Sequence, residues 1–498
     1  MRVKLSKLDL PEEAVIEALD HDELIALAKL WRHKISEYQS ILFRVRRRLF
    51  GPKSERSGHS DSSSHDDSEP PKPRGETKKR LSERYPDAPI REDKRDFEQP
   101  PTCGACGCTM SDSGMTEDSE YLDVHTREFT VVQQKRHKHR CHKCHSSIVT
   151  TPVPPRVTPG GSYSDNLIID ATLSKYCDLI PMERYCQMAA RSGLHGLPPH
   201  SLIKASFALA EYLQDVYILI KDETLATAVL LADETPHRML EGDPKKRWYL
   251  WGFSNNYAAF FECHDTRSGD VSTDVLVQST CQVLLSDAYS GYKKSINVAN
   301  EIRASQGLPP IAAAYCKAHA RRQFYSGTKD DTPSIDAEFI VKKYEEIYRL
   351  NDESKILSDE GVLEKRAAMI PHFEAIQSEA LSKVDGYSSK STMGTAYKYF
   401  LRYYEGLTRF ITDPKIPIDN NPAERLLRSP VVGRKTWYGT HSKAGAKAAA
   451  VHFSIVETCK LNGVNPREYY ADAVERIHHR HDLVTPRQFC ESGSTDSA

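Results

Sequence analysis

Two short apolar runs in this chain each end in an aspartate. Val-Leu-Leu-Ala (229–232) leads into Asp233, and Cys-Gln-Val-Leu-Leu-Ser (281–286) leads into Asp287. Runs of this length and composition read as buried strands. A carboxylate at the end of such a strand is costly to bury unless it is hydrogen-bonded or holds a metal ion. Taken singly, each Asp reads equally well as a turn or cap residue. As a pair on separate strands they point to a shared site. Strand side chains alternate faces, so Asp233 and Glu234 are expected to point opposite ways.

Around these runs lies an α/β pattern. Residues 247–253 and 257–263 read as the next two strands of a meander, and a helical stretch over about 273–280 follows. Residues 311–316 form another short apolar strand, with Lys317, His319, Arg321 and Arg322 directly after it. Three antiparallel strands, a helix, then further strands and helices define an α/β core over 229–475. Residues from about 330 to 413 are rich in Glu, Lys and Tyr and read as a helical insertion in that core.

The insertion is followed by Ile-Asp-Asn-Asn-Pro-Ala-Glu-Arg (418–425). Locally this is a helix start: Asn421 as N-cap, Pro422 at the first helical position and Glu424 reaching back as in a capping box. An ion pair from Glu424 to Arg428 is also available at i,i+4 spacing. The alternative is that Glu424 is a metal-binding carboxylate. Pro430 is expected to stop this helix near Ser429. A long helix is expected over 444–461, ended by Asn462-Gly463. The tail, residues 476–498, is expected to be disordered beyond about 482.

The first half of the chain has other organisation. Leu24, Ala28, Trp31, Ile35, Tyr38, Leu42, Val45 and Leu49 step by four and three without a break, the heptad seam of a coiled coil. The predicted helix (1–56) ends in a basic run with Arg46, Arg47 and Arg48, which is either a solvated face or a phosphate-contacting arm. Residues 57–100 are rich in Ser, Asp and Pro and read as a disordered linker. In 101–156, Cys103 and Cys106 pair with Cys141 and Cys144 as two CxxC knuckles, four thiolates for one structural Zn2+. Cys108, His137, His139, His142 and His145 are spare donors. Residues 160–228 are helical and fit either a DNA-binding helix-turn-helix or a plain connector.

Composition sets few further limits. The 498 residues suggest about three domains, and 39% hydrophobic with 28% charged residues suits a chain with a sizeable core. The N-terminus lacks the pattern of a signal peptide, and no run approaches the length of a membrane span. Twelve cysteines without an export signal point to a reducing compartment.

The segments ADETPHRML (232–240), SDAYSGY (286–292), CKAHARRQF (316–324), IDNNPAERLLRSPVVGRKTWYG (418–439) and ETCKLNGVNPREYY (457–470) together resemble the insertion-sequence-66 family of bacterial transposases. RRRLFGPKSER (46–56) and the CxxC pairs extend the resemblance over nearly the whole chain. It implies a multidomain α/β protein with a ribonuclease-H-like catalytic core, and an Asp-Asp-Glu triad formed by Asp233, Asp287 and Glu424. SDAYSGY departs from the family in having Ser286 and Ala288, which leaves the carboxylate in place.

The implied activity is DNA transposition. Two Mg2+ (or Mn2+) ions about 3.5–4 Å apart activate the attacking oxygen and stabilise the leaving one, and hard carboxylate oxygens suit Mg2+. Water would first cleave DNA at the element's end, and the exposed 3′-OH would then attack target DNA. His319, Arg322, Arg428, Arg434 and Lys435 are candidates for phosphate contact, against a reading as solvated surface. Trp437 is either a base-stacking or a core residue. The expected partners are double-stranded DNA, further copies of the chain and helper proteins of the same element, in the bacterial cytoplasm near the nucleoid. The competing reading is a transposase-derived, zinc-containing DNA-binding protein that no longer cuts.

Overall fold

A computed structural model describes residues 128–140, 148–240, 247–329 and 334–493, together with residues 20, 21, 83 and 109. The heptad positions from Leu24 to Leu49, with Arg46, Arg47 and Arg48, lie outside the described residues. So do Cys103, Cys106, Cys141 and Cys144, and the 57–100 linker apart from residue 83.

A small antiparallel hairpin opens the described chain: β1 (Lys138–Arg140) pairs with β2 (Ile148–Thr150), His139 facing Val149. Four helices follow: α1 (Asp165–Tyr176), α2 (Met182–Arg191), α3 (Pro199–Tyr212) and α4 (Gln214–Leu225). Their starts are written locally. Ser164 accepts from Leu167 N at the head of α1, and Pro199 stands in the first turn of α3.

The centre is a five-stranded mixed sheet built from β3 (Val229–Arg238), β4 (Arg247–Ser254), β5 (Ala259–His264), β6 (Val283–Ser286) and β7 (Ala312–Tyr315). Its order is β5-β4-β3-β6-β7. The expected meander is present, β3, β4 and β5 being antiparallel, while β6 and β7 run parallel to β3. The parallel strands need crossovers, and helices supply them. α5 (Asp270–Gln278) leads into β6, and α6 (Ser290–Ser305) joins β6 to β7. α5 starts three residues earlier than the sequence suggested, because Asp270 fits the first turn behind Gly269.

Both faces of the sheet are buried, in separate clusters. Leu230, Ala232, Trp251, Phe253, Phe260 and Leu284 pack with α1, α3, α4 and the C-terminal helices. Val229, Leu231, Val283, Leu285 and Ala314 face the helical insertion. The insertion comprises α8 (Ile335–Ser354), α9 (Asp359–Ala367), α10 (Ile370–Lys383) and α11 (Thr392–Thr408), and α7 (Lys317–Gly327), just before it, packs with it. Its core is aromatic: Phe324 packs on Tyr397 and Phe400, and Phe373 on Tyr344 and Phe410. At about 150–250 Å² per buried ring, these aromatics add to the aliphatic residues Ile340, Ile347 and Ile376 buried with them.

The chain then returns to the sheet through α12 (Asn421–Leu426), α13 (Arg428–Trp437), α14 (Lys443–Leu461), α15 (Pro466–His479) and α16 (Pro486–Gly493). α14 is buried on nearly every side from Gly445 to Cys459. It lies along the outer edge of β5, where Ser454 Oγ accepts from Phe261 N (2.9 Å) and Thr458 Oγ1 from Ala259 N (3.1 Å). Residues four apart on a helix share a face, so one pair of hydroxyls satisfies the strand edge. Gly463 closes α14 with φ of 65°, as the Asn-Gly signal predicted.

Three local expectations are corrected. Pro430 does not end helical structure: α12 stops at Leu426, and Pro430 sits in the first turn of α13, where its missing N–H has no helical partner to lose. The chain beyond 482 is not disordered as far as it is described: α16 is held by Phe489 against Tyr469 (ring centroids 5.7 Å) and by the donation of Thr485 N to Gln488 Oε1. The N-cap of α12 is Asn420, one residue earlier than read from the sequence.

Candidate active site

Strand alternation decides where the two aspartates point. Asp233 continues the series Val229, Leu231, and Asp287 continues Val283, Leu285; both series face the insertion. In the parallel register Leu231 is opposite Leu285. Two residues further along stand Asp233, within β3, and Asp287, the residue just past the end of β6, the two strands being spaced about 4.8 Å apart. Glu234 takes the other face, as expected. There Arg267 Nε donates to Oε1 (2.7 Å) and Tyr292 Oη to Oε2 (2.6 Å). The Asp287 loop is tied down by Tyr289 N, which donates to Oδ1 (3.0 Å).

Glu424 reaches the site from the C-terminal side. The segment 418–421 bridges the chain just after β7 to β3: Lys317 N donates to Ile418 O, Asn420 N to Cys316 Sγ, and Asn420 Nδ2 to Ala232 O (2.9 Å). Asn420 is 1% exposed, so its side chain serves as a tether to the residue before Asp233 and not as a helix cap. Asp419 supplies the local turn, accepting from Asn421 N and Asn421 Nδ2. Gly252, opposite Asp233 in β4, makes room for this arrangement. A Cβ there would stand 2.9 Å from the Phe261 ring and 3.5 Å from Leu427. Glu424 does not turn back to close a capping box. Its Oε1 lies 3.6 Å from His319 Nδ1.

The electrostatics agree with a convergent site. The Asp233 carboxyl is held well above its ordinary range, first by burial and then by the charges of Glu234, Asp287 and Glu424. Glu234 is also raised by burial, against which the bonds from Tyr292 and Arg267 act. Two insertion tyrosines border the site. Tyr399 is raised by burial and by the charge of Asp287, and Tyr348 Oη donates to Asp419 Oδ2 (3.4 Å).

The basic candidates divide. His319 stands beside Glu424 in the first turn of α7, and Arg322 is exposed on the same helix. Arg428 and Lys435 are exposed on α13. Arg434 Nη1 donates to Thr235 Oγ1 (3.3 Å), and Thr235 shares the strand face of Asp233. Trp437 packs edge-on against Tyr176 (6.3 Å), with Lys175 over its ring (5.4 Å), so it belongs to the core. Sequence reasoning overlooked Cys316, Asn420, Arg267 and Tyr292. Of these only Cys316 carried a local signal, in its C-x-x-H spacing from His319.

The profile described as the Transposase IS66 family matches residues 160–448, and that of the IS66 C-terminal element matches 454–485. The chain belongs to the IS66 family of transposases. It is similar to three uncharacterized proteins of Sinorhizobium fredii. Identity to y4hP is 27% over 76% of this chain and 71% of that protein. For y4jD it is 27% over 75% and 74%, and for y4qI 28% over 72% and 68%. No helix among the described residues is long and apolar enough to cross a membrane.

Proposed function

We propose that this protein is a DNA transposase whose catalytic carboxylates are Asp233, Asp287 and Glu424, on a ribonuclease-H-like core. The observation that carries the reading is their convergence: one aspartate in β3, one at the end of the adjacent parallel strand β6, and a glutamate on a helix tethered to the residue before the first. The sheet order, with a three-stranded antiparallel meander followed by two parallel strands, supports the ribonuclease-H-like assignment.

Three carboxylates this close repel one another unless cations are present. Glu424 Oε1 is buried and has no hydrogen-bond partner among the described residues, which fits a ligand oxygen. Divalent ions of the Mg2+ or Mn2+ kind, two per site, would be held by these three residues. When bound they supply an activated attacking oxygen and charge neutralisation at the leaving oxygen. The protein's own part is to fix the carboxylates by the Asn420 tether, the Tyr289 bond and the Glu234–Arg267–Tyr292 cluster. Arg434 is placed to meet a phosphate beside Asp233, while Arg322, Arg428 and Lys435 extend the basic surface. In this reading the first step is hydrolysis at the element's end and the second is attack of the freed 3′-OH on target DNA.

The same reading places a structural Zn2+ on Cys103, Cys106, Cys141 and Cys144, a self-association helix ahead of it, and Arg46, Arg47 and Arg48 on DNA. It also includes helper proteins of the element and a nucleoid location. The test is cleavage and joining of DNA carrying the element's ends, with and without Mg2+, for wild type, Asp287→Ala and Glu424→Gln. Both variants are expected to lose both steps. Activity equal to wild type in either would refute the triad.

A further inference from the structure

Beside the carboxylates, three donors of different chemistry meet. The Cys316 sulfur, a His319 ring nitrogen and a Glu424 carboxylate oxygen all lie within 4.8 Å of one another. Cys316 is the N-cap of α7 and His319 its third residue, so the two share the face of one helical turn. The sulfur is fully buried and accepts from Asn420 N (3.2 Å). Burial pushes the Cys316 thiol up to about 11, with the backbone N–H groups of Asn420 and His319 acting against it, so a bound ion has to displace the thiol proton.

The gap between the other two donors is informative. His319 Nδ1 and Glu424 Oε1 are 3.6 Å apart. Both atoms are buried and lack a hydrogen-bond partner among the described residues. A hydrogen bond would bring them to about 2.9 Å. A tetrahedral ion with N and O ligands at about 2.0–2.1 Å holds such atoms roughly 3.3–3.4 Å apart. Two facing polar atoms that stop short of bonding, at nearly the edge length of a coordination tetrahedron, have the spacing of metal ligands. The two side chains are 28% and 29% exposed, although their facing atoms are buried.

The donor set selects the ion. Sulfur and imidazole suit Zn2+ and its borderline neighbours, whereas Mg2+ prefers oxygen throughout. We propose that Cys316, His319 and Glu424 form a site for a thiophilic divalent cation of the zinc class, and that its occupancy draws Glu424 away from Asp233 and Asp287 and so silences the enzyme. Binding exchanges the thiol proton for the metal and releases that proton to solvent. The metal site rests on the geometry just described. The inhibitory consequence rests on the catalytic reading.

Cobalt(II) added to the full-length protein without DNA tests the site, because thiolate ligation produces a sulfur-to-cobalt charge-transfer band. Wild type is expected to bind one more cobalt ion per chain than Cys316→Ser, with a matching loss of band intensity. Glu424→Gln and His319→Gln keep the sulfur and are expected to bind that ion roughly tenfold or more weakly. A large excess of Mg2+ should not displace it. Equal stoichiometry and band intensity in wild type and Cys316→Ser would overturn the site. Should Cys316→Ser fail to melt cooperatively, unchanged cobalt affinity in Glu424→Gln would overturn it instead. No DNA enters this experiment, so its failure leaves the cleavage reading untouched. The inhibitory half is read separately: saturating Zn2+ is expected to abolish Mg2+-dependent cleavage reversibly on chelation, and full cleavage under Zn2+ would overturn it.

Discussion

Asn420→Ala separates stability from site geometry. Asn420 is buried at 1% exposure, and its Nδ2 donates 2.9 Å to Ala232 O, one residue before Asp233. Alanine removes the donor and leaves the strand carbonyl facing a small void. Leaving a buried acceptor unpaired costs about 1–3 kcal/mol. For a domain of this size each kcal/mol lowers Tm by about 2 °C, so the expected fall is about 2–6 °C. The effect on chemistry should be larger. Besides this bond, the Asn420 N–H to Cys316 Sγ and the Lys317 N–H to Ile418 O fix the same segment, so α12 loosens without leaving. A displacement near 1 Å at a catalytic group costs roughly 100-fold in rate. Mg2+-dependent cleavage should therefore fall by about two orders of magnitude while the protein remains folded at the assay temperature. Wild-type cleavage combined with the expected Tm loss would show that the bond stabilises the core without positioning Glu424.

Other perturbations give distinct signatures. In the metal-free protein, Asp233 carries a raised pKa, so the folded state holds a proton that the unfolded state releases. Stability is intact below the unfolded carboxyl pKa and is lost as pH rises toward the folded value. Asp233→Asn should thus raise the metal-free Tm near neutral pH and, on the proposed triad, abolish the Tm increase expected of Mg2+ in wild type; calorimetry with and without Mg2+ reads both. His452 is fully buried, donating from Nε2 to Ser206 O and accepting at Nδ1 from Tyr470 Oη, with its pKa pushed down to about 4. Its folded state resists protonation, so stability should fall by about 3 kcal/mol as pH drops from 6.5 to 4; urea melts of His452→Gln should show a shallower acid limb. Gly252→Ala forces a Cβ to 2.9 Å from the Phe261 ring and should cost about 1–3 kcal/mol, measured by denaturant unfolding.

The two aspartates were marked by local signals, whereas Glu424 reads locally as an ordinary helix start and was singled out by the family resemblance. An apolar run ending in Asp is a pattern of adjacent residues, and period-two alternation assigns Asp233 and Glu234 to opposite faces without any structure. The antiparallel meander follows from the same runs, while the parallel placement of β6 and β7 beside β3 does not. The use of Asn420 was not legible: a cap and a tether have the same sequence, and only the fold brings Asn420 to Ala232. The Arg267–Glu234–Tyr292 cluster joins three separate elements, so no window of sequence contains it. Pro430 misled because the rule against internal proline does not apply in a first turn, and the start of α13 at Arg428 had no cap signal. The tail misled because the evidence for order, Phe489 on Tyr469, is a tertiary contact.

The way α14 lies along β5 bears on how the chain matures on the ribosome. Strand β5 is complete at His264, but the hydroxyls that occupy its outer N–H groups, Ser454 and Thr458, come 193 and 199 residues later than the strand residues they bond. Until they emerge, the nascent sheet carries a free border able to recruit any extended segment nearby. A message cut short before residue 443 would therefore yield more than an inactive fragment. The fragment would hold all five strands with the outer edge of β5 uncovered, an edge open to pairing with another chain.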